Sequence, residues 1–234
     1  MNDGWRVLLG YNPIVLTGAF GSGKTETALH LALMAPETEV VLVDLDLVTP
    51  YFRSRERRRE LSERDITLLS PEGFHAGVEL PVMPPAVGEA MERAERCIVD
   101  VGGGEVGMRT LGSLSMAVER AGASCILVVN PYRPGTGTRE GIVNTARSLQ
   151  QAGRVQFEGI LANPHLGDRT RPEDIERGVE IVSAASAELG LSILSVGVGL
   201  HVVKQDGFAA LESELARRNL PHVVIDPRMR PDWH

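Results

Sequence analysis

Eight residues near the amino end, GAFGSGKT (18–25), lie between two stretches of different character. The apolar run PIVL before them is typical of a strand, and ETALHLALMA after them is typical of a helix. Glycine weakens both kinds of element, so three glycines at this junction need a reason other than local propensity. They predict a loop whose backbone takes unusual conformations or lies very close to another group.

The spacing of Gly18, Gly23, Lys24 and Thr25 matches the Walker A motif, in the strand–loop–helix context that the motif needs. Glycines permit positive φ, so backbone N–H groups can surround a polyphosphate at the start of a helix. Lys24 is predicted to reach the β and γ phosphates, and Thr25 to bind Mg²⁺. The alternative is an ordinary glycine-rich turn before a helix. The nucleotide-binding residues predicted here are Gly18, Gly21, Ser22, Gly23, Lys24, Thr25 and Glu26.

Two predicted strands end in aspartates that could serve a bound triphosphate. Asp44 and Asp46 are two residues apart, so they lie on the same side of an extended chain. Asp100 ends another strand and precedes Gly102 and Gly103, a pattern typical of a Walker B strand that runs into a switch loop. Asp100 is predicted to hold Mg²⁺ through water, and Gly102 or Gly103 to offer a backbone N–H to the γ phosphate. The alternative is that the aspartates are solvated strand ends.

The rest of the chain alternates short runs of Val, Ile and Leu with stretches of helical periodicity. Most runs are continuously apolar, which favours strands of a parallel sheet covered on both faces. This alternation predicts one doubly wound α/β domain over residues 1–234, with irregular zones at 46–65 and 70–85. The predicted strands are 14–17, 40–45, 66–69, 97–101, 125–130, 157–163, 191–196 and 222–226, and the predicted helices are 26–35, 86–95, 109–121, 138–151, 172–189 and 208–218.

The composition is that of a soluble globular protein, with 43% apolar and 24% charged residues. A net charge of −7 does not require nucleic acid or an anionic membrane as a partner. Cys97 and Cys125 lie far apart in apolar runs, which is typical of buried free thiols in a reducing compartment. Because no run is long enough to span a membrane and the amino end lacks the features of a signal peptide, we expect a cytoplasmic protein without a membrane partner.

The residues at the ends of the late strands predict the base of the nucleotide. GTP-specific P-loop proteins carry Asn-Lys-x-Asp there, and neither NPYR (130–133) nor NPHL (163–166) has this pattern. Adenine, and therefore ATP with Mg²⁺, is the prediction. Asn163 and the following Pro164 are predicted to bind the nucleotide. Asn163 would hydrogen-bond the edge of the base, with the backbone of residues 196–200 on the other side of the base. The alternative is that Asn163 only shapes a turn.

These motifs together resemble the MinD/ParA/CobQ nucleotide-binding superfamily, and the resemblance covers essentially the whole chain. It implies a seven- or eight-stranded, mostly parallel sheet and often an ATP-sandwiched homodimer. It also implies that Asp46 positions the attacking water, as a catalytic residue with Lys24, and that Asp44 supports the magnesium shell. Ala19 stands where the deviant Walker A of MinD and ParA has a lysine that reaches across the dimer. The stretches 44–56, 100–107 and 130–136 are instead similar to a little-described branch of bacterial ATP-binding proteins.

The leading functional hypothesis is a Mg²⁺-dependent ATP-binding protein and slow ATPase. Its nucleotide state would change the loops after Asp46 and Asp100 and so control a protein partner. The alternative is a kinase or synthetase acting on a small carboxylate or amide, with His75 and Glu79 in an acceptor pocket. A metal-centre maturation ATPase is disfavoured because the two cysteines do not form a close pair.

The basic run RSRERRREL (53–61) could bind an acidic partner, a second nucleotide or nucleic acid. The interleaved Glu56 and Glu60 instead favour a solvated helix face with i,i+4 pairs, and the absence of interleaved aromatics makes nucleic acid an unfavoured partner. In RPGTGTRE (133–140), a turn followed by an N-cap at Thr138 is favoured over a second phosphate site.

Overall fold

The computed structural model describes residues 3–37, 39–46, 58–70 and 85–227. In these ranges eight strands form one sheet, and all neighbouring strands are parallel. The strands are β1 (Ile14–Thr17), β2 (Val40–Leu45), β3 (Ile66–Leu69), β4 (Arg96–Val101), β5 (Ser124–Val129), β6 (Phe157–Ala162), β7 (Ile193–Gly199) and β8 (His222–Ile225). Their order across the sheet is β3-β2-β4-β1-β5-β6-β7-β8, which places β1 between β4 and β5.

Helices cover both faces of this sheet, which confirms the predicted doubly wound α/β architecture. The first three helices pack on one face and the others on the opposite face, each around its own apolar core. The helices are α1 (Asp3–Leu9), α2 (Lys24–Met34), α3 (Arg58–Ser62), α4 (Pro85–Arg93), α5 (Gly104–Ser113), α6 (Ser115–Arg120), α7 (Arg139–Gly153), α8 (Pro172–Leu189), α9 (Leu200–Val203) and α10 (Phe208–Arg217).

The central strands are buried along their whole length, as continuous apolar runs predict. All residues of β1, β2, β4 and β5 are buried. Along β1, Ile14 and Leu16 enter the core beneath α1–α3, whereas Val15 enters the core on the other face. Both faces of a strand therefore gain hydrophobic stabilisation, which explains why these sequences do not alternate with polar residues.

The predicted helix 109–121 is wrong in its extent, because two helices, α5 and α6, occupy this region and meet at Leu114. The first of them begins at Gly104, within a run of glycines that normally disfavours a helix. Position 107 of α5 requires glycine, because an added Cβ would lie only 1.9 Å from the Gly102 carbonyl oxygen. Close packing against the preceding loop thus overrides helix propensity here.

Other differences are smaller. The helices α1 and α9 are not among the predicted elements. Helix α3 lies inside the zone 46–65 that is predicted to be irregular, at the end of the basic run 53–61 for which a helix face is favoured. Strand β7 continues to Gly199, beyond the predicted end at residue 196. Residues 47–57 and 71–84 of the predicted irregular zones lie outside the described residues, and with them the predictions for the first part of the basic run, for His75 and for Glu79.

Several local predictions are confirmed. The Thr138 side chain caps α7 by accepting a hydrogen bond from the Gly141 N–H at 3.1 Å. At the described end of the basic run, Arg59 forms an exposed i,i+4 pair at 3.0 Å with Glu63, which lies just beyond the run, whereas Glu56 lies outside the described residues. Cys97 and Cys125 are buried free thiols, and burial raises the pKa of each to about 12. None of the helices in the described ranges has the length and hydropathy needed to cross a bilayer.

Candidate functional site

The loop between β1 and α2 has the backbone that its glycines predict. Gly18, Gly21 and Gly23 have φ values of 150°, 69° and 96°, which other residues rarely adopt. Gly23 also needs space, because an added Cβ would lie 2.2 Å from Nδ2 of Asn163. The motif therefore requires glycine at this position for both its conformation and its packing, and α2 begins immediately afterwards at Lys24.

Lys24 folds back onto the loop that precedes it. Its Nζ donates a hydrogen bond to the Ala19 carbonyl at 2.9 Å and lies 3.5 Å from Oγ of Ser22. Burial lowers its pKa, while the negative charges of Asp100 and Asp46 oppose that change. Lys24 is one of only two lysines in the chain, the other being Lys204. Because its hydrogen-bond partners among the described residues are neutral oxygens of the loop, the ammonium group can turn to a phosphate without breaking a direct ion pair to any of them.

A second group of side chains lies beside the start of α2. Thr25 Oγ1 donates to Oδ2 of Asp100 at 2.6 Å, and Asp100 faces Asp44 across the β2–β4 pair. Among the described residues, the other oxygen of Asp100, Oδ1, is buried and accepts no hydrogen bond. A buried carboxylate oxygen without a donor, next to a hydroxyl, suits a hard divalent cation such as Mg²⁺.

The neighbouring aspartates increase the negative charge of this group. Asp44 is buried, and its Oδ1 accepts a hydrogen bond from the Asp46 N–H at 3.0 Å. Burial and the charge of Asp44 raise the pKa of Asp100 to about 7, against the opposing effects of Thr25 and Lys24. The residues predicted to bind metal, Thr25, Asp44 and Asp100, are thus brought together with Asp46. We name these four residues the acidic flank of the loop.

The glycine segment after β4 contacts the phosphate loop directly. The Gly104 N–H donates to the Gly18 carbonyl at 3.1 Å. The Phe20 ring covers Gly103 so closely that an added Cβ there would lie 2.5 Å from its Cδ1. Asp46 lies beside Gly102, since an added Cβ there would come within 3.0 Å of its Oδ1. The predicted catalytic residue Asp46 and the predicted γ-phosphate segment are therefore adjacent, whereas sequence reasoning missed the role of Phe20.

On the other side of the loop, side chains donate to the loop's own carbonyl groups. Asn163, 5% exposed, donates from Nδ2 to the Ser22 carbonyl at 2.7 Å. Its Oδ1 packs on Gly197, where an added Cβ would lie 2.2 Å away. Arg133, in the connection after β5, donates from Nε to the Gly21 carbonyl at 3.0 Å. Asn163 thus supports the loop, and its contact with a base stays a prediction.

Asn130 and His165 connect the chain segments that carry Arg133 and Asn163. Asn130 is fully buried and exchanges hydrogen bonds with the His165 backbone, donating to its carbonyl at 3.0 Å and accepting from its N–H at 3.2 Å. Burial and the charge of Arg133 lower the pKa of His165 to about 4, although a hydrogen bond with the Gly21 backbone acts in the opposite direction. We name Asn130, Arg133, Asn163 and His165 the anchoring flank.

Sequence patterns contain little indication of this flank. NPYR and NPHL are recognisable as strand ends, but nothing in their spacing shows that they meet on the phosphate loop. Pro164, predicted to bind nucleotide, packs against α8, where an added Cβ on Gly178 would lie 2.3 Å from its Cβ. Glu26, also predicted to bind nucleotide, lies 3.7 Å from Nδ1 of His30, a ring that stacks on Trp5.

No protein-family model matches this chain, and no curated protein matches it. Solved structures do match. The cell division protein FtsY of Thermotoga maritima is 22% identical, with a TM-score of 0.53 over 84% of this chain and 68% of that one. Chloroplast FtsY of Physcomitrella patens is 17% identical, with a TM-score of 0.56 over 90% of this chain and 71% of that one.

A third similar structure is the signal recognition particle 54 kDa protein of Aeropyrum pernix, which was solved in complex with GDP. It is 20% identical, with a TM-score of 0.54 over 89% of this chain, which spans 49% of that protein. At these identities the likeness establishes the fold alone. The chain therefore has a P-loop NTPase-like α/β fold, while membership of the MinD/ParA/CobQ branch stays a prediction.

Proposed function

We propose that this chain, with its P-loop NTPase-like fold, binds a purine nucleoside triphosphate and Mg²⁺ at residues 18–25 and hydrolyses it slowly. The proposal rests on the hydrogen bond from Thr25 to Asp100 and on the neighbouring Oδ1 of Asp100, which accepts no hydrogen bond from any residue that the structure describes. It joins the Walker A helix to the acidic strand end at the place where a phosphate-bound cation needs oxygen ligands. Bound Mg²⁺ would neutralise charge on the phosphates, and Lys24 would turn from Ala19 to the β and γ oxygens.

The acidic flank also supports a place for the reacting water. Asp46 is 9% exposed, and it borders the glycine segment whose Gly102 and Gly103 are proposed to meet the γ phosphate. A carboxylate at this position could orient a water molecule for attack while Asp44 and Asp100 hold the metal shell. This arrangement supports hydrolysis without any acceptor molecule, which favours an ATPase over a kinase or synthetase.

We propose adenine as the base, so that the nucleotide is ATP. Leu166 stands where a guanine-specific motif would place an aspartate after Asn163, and its side chain is 38% exposed. An apolar side chain cannot accept the two hydrogen bonds that guanine offers from N1 and N2. The similar structure in complex with GDP keeps GTP as the competing nucleotide, so a test of the base needs both nucleotides.

We further propose that the nucleotide state controls a protein partner or a second copy of this chain. Gly104 and Phe20 link the phosphate loop to the segment after Asp100, so a ligand that moves the loop also moves this segment. The buried free thiols Cys97 and Cys125 support the expectation that the protein works in a reducing, cytoplasmic compartment.

Calorimetric titration tests the proposal, with MgATP and MgGTP added separately to the wild type and to two lysine variants. Lys24→Ala removes the phosphate contact, and we expect binding to weaken by at least about a hundredfold because a charged hydrogen bond is lost. Lys204→Ala is the matched control, since Lys204 is exposed and is the only other lysine. Its affinity should equal that of the wild type.

The chain's two lysines permit a second readout. Reductive methylation with ¹³C-formaldehyde labels Lys24 and Lys204 together with the amino terminus, and the Lys24 signal should shift when MgATP is added. Absence of heat with both nucleotides, together with an unchanged Lys24 signal, would refute nucleotide binding. Stronger binding of GTP than of ATP would refute the choice of adenine but not the phosphate site.

A further inference from the structure

The strand order decides where the nucleoside of a bound nucleotide must lie. The acidic flank takes its aspartates from β2 and β4, on one side of β1, whereas β5, β6 and β7 lie on the other side. The metal accompanies the β and γ phosphates, at the end of the triphosphate that is distant from the sugar. Accepting the proposed function, the sugar and base therefore extend over the ends of β5 to β7, across the anchoring flank.

Arg133 is the exposed cation on that flank. Its guanidinium packs on the backbone of Gly21, where an added Cβ would lie 2.8 Å from Nε and 3.1 Å from Cζ. The hydrogen bond from Nε to the Gly21 carbonyl fixes its position. Within the described ranges, the two terminal nitrogens of Arg133 have no hydrogen-bond or ion-pair partner. The plane of the guanidinium is therefore held in place while its remaining donors are unused.

The turn that carries Arg133 is itself well fixed. Thr136 Oγ1 donates to the Asn130 carbonyl at 2.7 Å, and the Thr136 N–H donates to the Arg133 carbonyl at 3.1 Å. Asn130 in turn accepts from the Tyr132 N–H at 3.0 Å. A surface arginine normally loses much side-chain entropy on binding a ligand, and an arginine held at both its backbone and its Nε loses less.

We propose that the guanidinium of Arg133 forms the stacking platform for the purine base of the bound nucleotide. Arginine is suited to this role because its planar, weakly hydrated cation stacks on aromatic rings. Stacking uses the face of the base, which adenine and guanine share, so this contact binds both purines equally. Any preference for adenine is then set at the edge of the base, where Leu166 replaces an acidic residue.

The test compares ligands that share a triphosphate but differ in the base: MgATP, MgGTP and magnesium tripolyphosphate, which has no nucleoside. Titrations use the wild type, Arg133→Ala, Arg133→Lys and the control Arg139→Ala. Arg139 lies at the start of α7 and pairs with Glu188 at 2.8 Å, an exposed ion pair of little energetic consequence. Thermal unfolding of each variant establishes that it is folded.

Arg133→Ala should weaken the binding of ATP and of GTP by the same factor, about tenfold. Its affinity for tripolyphosphate should stay within about twofold of the wild-type value. Arg133→Lys keeps the charge and a donor for the Gly21 carbonyl but lacks the planar face. It should therefore still lose affinity for both nucleotides and none for tripolyphosphate. This selective loss distinguishes stacking from damage to the phosphate loop.

Two results in the Arg133 variants would overturn the platform. If tripolyphosphate weakened as much as ATP in Arg133→Lys, Arg133 would be a phosphate ligand, and if nucleotide affinity were unchanged in both variants, the base would lie elsewhere. In either case the wild type still binds nucleotide and the proposed function stands. If the wild type bound tripolyphosphate and the two nucleotides equally well, the chain would have no subsite for the nucleoside. If it bound none of the three ligands, the proposed function would be refuted as well.

Discussion

The two flanks of the phosphate loop are built on opposite principles. On the acidic flank, Asp44, Asp46 and Asp100 crowd together, and burial with mutual repulsion raises the pKa of Asp100. On the anchoring flank, Asn163 and Arg133 already donate to loop carbonyls. One side therefore carries negative charge that a cation would relieve, and the other fixes the loop before any ligand arrives. Ligand binding should thus change the acidic flank most, and damage to the anchoring flank should act on the loop itself.

The largest loss of nucleotide affinity is expected from a substitution at Gly23, where Asn163 of the anchoring flank contacts the phosphate loop. Gly23→Ala places a Cβ 2.2 Å from Nδ2 of Asn163 at a φ of 96°, so the backbone or Asn163 must move. Strain and steric overlap together cost about 2–5 kcal/mol, which predicts a loss of nucleotide affinity of about a thousandfold. Calorimetric titration with MgATP measures it.

The control for this variant is Gly122→Ala. Gly122 also has a positive φ, 60°, but an added Cβ would meet no atom of the described part of the chain within 4 Å. The Gly122→Ala substitution should lower the free energy of unfolding by about 1 kcal/mol and leave nucleotide affinity unchanged. Equal affinities for the two variants would show that Asn163 does not set the shape of the loop.

On the acidic flank, Asp100→Asn should separate the effect of metal from that of the loop. With EDTA present, the variant and the wild type should bind ATP within about threefold of each other, whereas with Mg²⁺ the variant should bind about a hundredfold more weakly. Without ligand, the variant should be more stable by about 1 kcal/mol because a buried charge beside Asp44 is gone.

Asp206→Asn is the control, since Asp206 is exposed and lies in the turn before α10. Urea unfolding measures the stability change, and titrations with and without EDTA measure the dependence on metal. An Asp100→Asn variant that kept the full Mg²⁺ effect would place the cation elsewhere.

The anchoring flank should respond to acid through His165. The pKa of His165 is about 4 in the folded chain, whereas its ordinary value, which applies to the unfolded chain, is 6.5. At a pH between these two values, the unfolded chain binds a proton on His165 that the folded chain does not. The contribution of His165 to the free energy of unfolding is therefore fully present above pH 6.5. It decreases as the pH falls, so that the free energy of unfolding is lower by about 2 kcal/mol at pH 5. Urea unfolding of His165→Asn should lack this loss, whereas His222→Asn, at the start of β8, should retain it. Identical pH profiles for wild type and His165→Asn would contradict the assignment.

The contrast between the flanks also explains what could be predicted from the sequence. The acidic flank is encoded in short motifs, since Asp44 and Asp100 end apolar runs, Thr25 ends the Walker A pattern, and parallel strands finish at one edge of the sheet. The anchoring flank depends on contacts between residues far apart, such as Arg133 with Gly21, and no local pattern encodes them. The start of α5 was missed for a related reason, because the fit of Gly107 against Gly102 is a tertiary effect.

The smallest predicted effect concerns Phe20, which bridges the loop to the acidic flank by covering Gly103 and Gly104. The ring is 52% exposed, so Phe20→Ala should cost little stability and weaken MgATP binding only about twofold. Its local effect should be larger, because the Gly104 N–H that donates to Gly18 loses its cover and should exchange with solvent several times faster. Met116→Ala, which removes a 72% exposed side chain from α6, is the control. If hydrogen exchange at Gly104 were the same in both variants, the ring would not transmit loop movements to the segment after Asp100, and the two would respond to nucleotide independently.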